Sequence, residues 1–133
     1  MSNVRLGLYV MAAIGLVGTT APRATADSEN CRPNVRVTNS SGNDIKVTKF
    51  KYKVTGSPEI FTESLVNKNL SDDETENWPS QTLRFAVKGV VISETAVEFK
   101  PDTGPGWGSP TTSAWFPHSF TCGDNHNYIQ TIN

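Results

Sequence analysis

NVRVTNSSGNDIKVTKFKYKV, residues 34–54, alternates apolar and polar side chains with a period of two, the repeat of a half-buried strand. Val35 and Val37 fall on one side and Arg36 on the other. The run Asn39-Ser40-Ser41-Gly42-Asn43-Asp44 then supplies turn chemistry, so a hairpin is predicted between strands at 34–38 and 45–54. In the second strand Ile45 and Val47 share one parity, whereas Phe50, Tyr52 and Val54 share the opposite one. One extra residue near Thr48 or Lys49 restores a single apolar face and predicts a β-bulge there. The same repair lines up Lys49, Lys51 and Lys53 as a basic stripe on the outward face. Such a row protects an edge strand from foreign pairing, pairs with acids across a sheet, or meets an anionic glycan or phospholipid surface.

Strand patterns continue outward from this stretch. A third strand is predicted at Ile60 to Val66, after Gly56-Ser57-Pro58. Ser71-Asp72-Asp73-Glu74 fits a capping box, which predicts a single helical turn before Trp78-Pro79, with an acidic loop as the alternative. Thr82 to Ile92 reads as a strand on the alternation of Leu83, Phe85 and Val87, and Gly89 marks a bulge or a turn within it. Further strands are expected at Thr95 to Lys100, Thr112 to Thr121 and Tyr128 to Ile132, with a Gly/Pro-rich loop from Pro101 to Pro110. Six or seven short strands without a sustained helical stripe predict an all-β fold, a single antiparallel β-sandwich. It resembles an immunoglobulin-like domain only broadly. The strand C tryptophan is missing, and Cys31 precedes the first strand.

The ends of the chain set its compartment. Residues 1–26 read as a secretory signal peptide, with Arg5 before an apolar run from Leu6 to Val17 and small residues at Ala24-Thr25-Ala26. The domain proper is then 27–133, and its expected home is extracellular or periplasmic. Removing Arg5 and Arg23 leaves 10 Lys and Arg against 13 Asp and Glu, a formal charge of −3. A mildly acidic domain of that size has no electrostatic case for nucleic acid as its main partner. No later segment approaches the roughly 18 apolar residues of a membrane span, so a soluble product is expected, as a monomer or weak oligomer. Cys31 and Cys122 lack metal spacing and predict one disulfide, with two buried thiols as the alternative.

Candidate chemistry is sparse. His118, Asp124 and His126 cluster near Cys122 and contain metal-type ligands, but in no established ligand frame. Ser119 beside His118 is adjacency in sequence and not a triad, and no Gly-x-Ser-x-Gly elbow occurs. Glu59, Glu63, Glu94 and Glu98 offer paired carboxylates, though on strands such residues are expected on the solvated face. Asp72, Asp73, Glu74 and Glu76 supply oxygen ligands without the glycine and ligand order of a calcium loop. Asn39-Ser40-Ser41 and Asn69-Leu70-Ser71 match the glycan acceptor pattern.

The loop from Asp102 to Pro110 is the expected functional surface. Trp107 sits among glycines and prolines with Trp115 and Phe116 a few residues on, and aromatic rings at a loop tip stack on sugars, enter lipid interfaces or anchor partners. The alternative is that Trp107 folds back to cap one end of the sandwich. The predicted function is therefore a secreted, non-catalytic binding module. It uses Asp102, Trp107, Trp115 and Phe116 to hold an extracellular carbohydrate or protein, with no metal or cofactor. A membrane-active secreted protein is the second reading, and a hydrolase or metalloenzyme built on His118 and His126 the third.

Overall fold

Eight strands, in two sheets packed face to face, make up the computed structural model, which describes residues 29–133; the predicted signal peptide, 1–26, lies outside the described residues. The strands are β1 (Asn34–Asn39), β2 (Ile45–Val54), β3 (Phe61–Leu70), β4 (Thr75–Trp78), β5 (Val91–Pro101), β6 (Thr111–Thr112), β7 (Phe116–Thr121) and β8 (Asn127–Ile132). One sheet has the order β4-β1-β8, and the larger has β3-β2-β5, with β6 and β7 paired in succession along the far edge of β5. Among the described residues there is no helix. Val35 and Val37 from one sheet meet Val47, Phe50 and Tyr52 from the other, and Trp78, Leu83 and Tyr128 complete the core. The Phe50 ring lies 5.9 Å from those of both Tyr52 and Tyr128.

The bulge in β2 lies where the parity change requires it. Val47 pairs with Phe99 and Lys49 with Glu98, so Thr48 is the extra residue. Opposite it, β3 advances from Lys68 to Ser64 over the same step, so its residues 65–67 stand opposite the single Thr48 and are bulged as well. The apolar residues on both sides of the bulge thereby share the inner face.

The Cys31–Cys122 disulfide forms with Cα atoms 6.0 Å apart and joins the entry of β1 to the exit of β7, so it staples the two sheets. Closing a loop of 91 residues stabilises the fold by about 4–5 kcal/mol in the chain-entropy estimate. A disulfide of this kind belongs to an oxidising environment.

Several local expectations differ from the structure for identifiable reasons. The segment between β1 and β2 is an arch between sheets, not a hairpin. Asn39 is fully buried, and its side chain donates to the carbonyls of Asn43 and Leu70 while accepting from the Ser41 N–H. Freed from β2, β1 pairs with β4 on one side and runs parallel to β8 on the other, the one parallel strand pairing among the described residues. The predicted third strand extends to Leu70, and the helical turn at Ser71–Glu74 is instead a tight turn into β4. The Glu74 N–H donates to the Ser71 carbonyl, and Ser71 N–H to the Glu74 carboxylate, so only the glutamate half of the capping box forms.

The strand expected at Thr82 to Ile92 is also absent: the chain is irregular until β5 starts at Val91. Its backbone groups are taken elsewhere. The Leu83 N–H donates to the Cys31 carbonyl, Arg84 N–H to the Glu63 carboxylate and Phe85 N–H to the Tyr52 hydroxyl. Leu83 therefore turns inward while Phe85 is exposed against Phe61, and Gly89, at φ 96°, occupies a turn.

Candidate functional site

The outer face of the larger sheet gathers most of the residues that carry recognition chemistry. Lys46, Lys49, Lys51 and Lys53 follow one another along β2 opposite the buried set Ile45, Val47, Phe50 and Tyr52. At a rise of about 3.3 Å per residue the row is about 23 Å long. Each end of it is closed by a tryptophan. Lys46 Nζ stands 4.8 Å from the centroid of the Trp107 ring, and Lys53 Nζ stands 4.4 Å from that of Trp115. Both contacts are within cation–π range.

Trp107 is held from its loop base. It forms an isolated bridge with Asp102, whose carboxylate accepts the Gly104 N–H, and Gly108 N–H returns to the Pro101 carbonyl. Asp102 is thus a turn-building residue. Trp107 is 37% exposed, so the ring lies along the sheet end with one part in solvent. Trp115 and Trp107 occupy opposite ends of the face and do not form one patch. Phe116 departs from the expected set altogether: it pairs with Thr95 in the ladder, a residue directed to the sandwich interior, so Trp115 and Phe116 serve opposite faces.

The acids on this face are β5 carboxylates. Glu98 lies 3.6 Å from Lys49 Nζ and 3.5 Å from Lys51 Nζ, and Glu94 accepts from Lys53 Nζ at 2.8 Å. Lys51 also donates to Thr112 on β6. Part of the basic stripe is thereby neutralised across the sheet, the mildest of the roles expected of it. Beside the double bulge lies an open cleft of about 280 Å³ lined by Lys49, Ser64, Asn67, Glu98, Lys100 and Pro110. Lys100, Ser64 and Asn67 were not singled out from the sequence. The signal for them was the parity change at Thr48, because a bulge in β2 forces an opening beside its neighbours.

The remaining candidates are engaged elsewhere. Asp124 accepts from the Arg32 N–H and pairs with Lys88 at 3.1 Å, which holds its carboxyl below the usual carboxylate range. His118 and His126 both pack against Tyr128, at ring distances of 5.0 and 4.8 Å, and His118 Nε2 lies 2.6 Å from Thr95 Oγ1. Burial, together with the neighbouring His126, lowers the pKa of His118. Glu63 corrects the expectation of a solvated face: it is buried and receives Tyr52 Oη, Arg84 N–H and Arg84 Nε, each at 2.8 Å. In the acidic turn, Asp72 accepts from Gly42 N–H and Glu76 pairs with Lys68. Among the described residues no group of three or more His, Cys, Asp or Glu side chains is positioned to share a metal ion. Asn39 is buried with its amide committed to backbone partners, a poor glycan acceptor, whereas Asn69 is exposed.

Comparison with known proteins finds no matching family model, no matching curated protein and no matching solved structure.

Proposed function

We propose that this chain is an exported, non-catalytic binding module that holds an extracellular carbohydrate along the outer face of its larger sheet. The observation that carries this reading is the β2 row of lysines with a tryptophan at each end, set beside an open cleft bordered by hydroxyl and amide side chains. Sugars are bound by that mixture: a ring face stacks on an indole, while the hydroxyls exchange hydrogen bonds with polar side chains. Protein interfaces differ in composition, since their cores are depleted of lysine and rich in apolar side chains. Lipid insertion, the second expectation, is less well supported, because both indoles lie against lysine ammonium groups of the sheet. The engagement of Asp124, His118 and Glu63 with structural partners supports a role without catalysis. Export at residue 26 completes the proposal and accords with the oxidised Cys31–Cys122 pair.

A glycan array probed with the wild-type protein and with Trp107→Ala and Trp115→Ala tests the reading. Wild type is expected to retain a defined subset of glycans, and each variant to lose it by about tenfold while staying folded with a modestly lowered unfolding midpoint. A wild-type protein that retains no glycan, or variants that bind as wild type, overturns the carbohydrate reading. Sequencing the amino terminus of the exported product is expected to give Asp27 first. Retention of Met1 overturns the export half of the proposal.

A further inference from the structure

The two lysines with no acid beside them lie directly opposite each other. Lys46 on β2 and Lys100 on β5 are partners in the antiparallel ladder. Among the described residues neither has a carboxylate oxygen within 4.0 Å. Like charges facing each other across a sheet are destabilising, so the pair is a local cost that the protein itself does not offset with an anion. The neighbouring cations share their acid. Glu98 alone serves Lys49 and Lys51, so this part of the face carries four ammonium groups against one carboxylate. Asp44 and Asp102 flank the same two strands, but neither is in an ion pair with Lys46 or Lys100 among the described residues, and the Asp102 carboxylate is turned to its own loop at Gly104 N–H. The surplus is local, because the domain as a whole is acidic.

Resting on the carbohydrate reading above, we infer that Lys46, Lys49 and Lys100 form an anion subsite, and that the ligand is an acidic polysaccharide carrying uronate carboxylates. A carboxylate on the chain supplies the negative charge that the Lys46–Lys100 pair lacks, and charge-assisted hydrogen bonds to ammonium groups are the strong class. The cleft beside Lys49 and Lys100 gives the sugar ring a recess bordered by Ser64 and Asn67. Trp107, with Lys46 over its ring, borders the Lys46 end of the same area. The subsite opens on one side to the cleft and on the other to Trp107, which suits several units of a polymer better than a single sugar.

Titration calorimetry with polygalacturonate, with a neutral glucan and with phosphatidylglycerol vesicles tests the inference, using the disulfide-intact protein. Polygalacturonate is expected to bind, and to bind less tightly as salt rises. Lys100→Gln is expected to weaken it about tenfold and Lys46→Gln similarly. Lys100→Gln is expected to unfold at the wild-type midpoint or slightly above it because it removes a repulsion, and Lys46→Gln close to the wild-type midpoint because it also gives up the contact with Trp107. Neutral glucan bound as tightly as polygalacturonate, with no response to Lys100→Gln, overturns the anion subsite and leaves the carbohydrate reading standing. Association with the vesicles alone overturns both. Unfolding midpoints well below wild type in both variants would show the two lysines to be supports of the sheet, and would overturn the subsite as well.

Discussion

Around Glu63 the buried polar atoms are bound to one another, whereas between β7 and β8 several are not. In the first region the Glu63 carboxylate receives three hydrogen bonds, and the Tyr52 hydroxyl both donates to it and accepts the Phe85 N–H. This network fastens the irregular segment before β5 to the larger sheet. In the second region Thr95 bridges His118 and Gln130, yet His126 Nε2, the Tyr128 hydroxyl and Gln130 Oε1 have no hydrogen-bond partner among the described residues. A buried polar group without a partner forfeits its hydration and gains nothing in return. The comparison therefore separates a side of the sandwich held by directed bonds from one held by ring packing and the disulfide.

Glu63→Ala is the strongest way to break the first region. It leaves the Tyr52 hydroxyl and the Arg84 N–H without their acceptor. The expected cost is about 2–4 kcal/mol, below that of a fully buried ion pair because the Arg84 side chain is 63% exposed. Urea unfolding measures it, and a loss under about 1 kcal/mol would remove this network from the list of stabilising features. The sharper test is the same deletion in both regions. Tyr52→Phe removes a bonded hydroxyl and is expected to cost about 1–3 kcal/mol. Tyr128→Phe removes an unbonded one and is expected to be neutral or stabilising, within about 0.5 kcal/mol. Equal losses in the two variants would erase the distinction between the regions.

The spectroscopic counterpart concerns the same two phenols. Burial pushes the Tyr128 hydroxyl up to about 12, and burial with the Glu63 hydrogen bond raises Tyr52 as well. Between the ordinary tyrosine value and these raised ones the folded state holds more protons than the unfolded chain, so stability falls as pH rises above about 10. Alkaline titration followed by phenolate absorbance is expected to show no ionisation of either residue near pH 10 while the protein stays folded. A normal phenolate curve in the folded protein would mean that the sandwich admits water to its core.

Legibility follows the same divide between local and non-local causes. The bulge at Thr48 was readable because parity along one strand is a local property, and the disulfide because two cysteines without metal-ligand spacing leave one pairing. The strand at Thr82 to Ile92 misled because its alternation is real, but its donors are captured by Glu63, Tyr52 and Cys31, which are distant in sequence. The parallel β1–β8 pairing was hidden for a similar reason. Turn-forming residues at 39–44 suit a hairpin and an arch equally, and the buried Asn39 amide decides between them through Leu70. On the candidate site, tryptophans and a lysine row were visible as residue types. Their common face depends on the bulge, and the Lys46–Lys100 opposition depends on a register that only the folded sheet defines.

The smallest expected effect is also the one most specific to the β7–β8 side. His118 packs between Thr95, Tyr128 and Phe120, and burial, reinforced by His126, lowers its pKa from 6.5. The folded state thus disfavours the imidazolium. As pH falls below about 6.5 the unfolded chain takes up a proton that the folded one refuses, so stability declines with acidification until the folded His118 titrates too. Thermal unfolding between about pH 7.5 and 5.5 is expected to show a falling midpoint in wild type and a shallower fall in His118→Gln, whose amide retains a partner for Thr95. Tyr52→Phe, on the opposite side, is expected to keep the wild-type slope from a lower start. Hydrogen exchange adds location: amides of β7 are expected to lose protection on acidification before those of β2, because β7 is an edge strand and β2 lies between β3 and β5. An unchanged slope in His118→Gln, or simultaneous loss of protection in β2 and β7, would show that mild acid acts on the whole sandwich rather than through this imidazole.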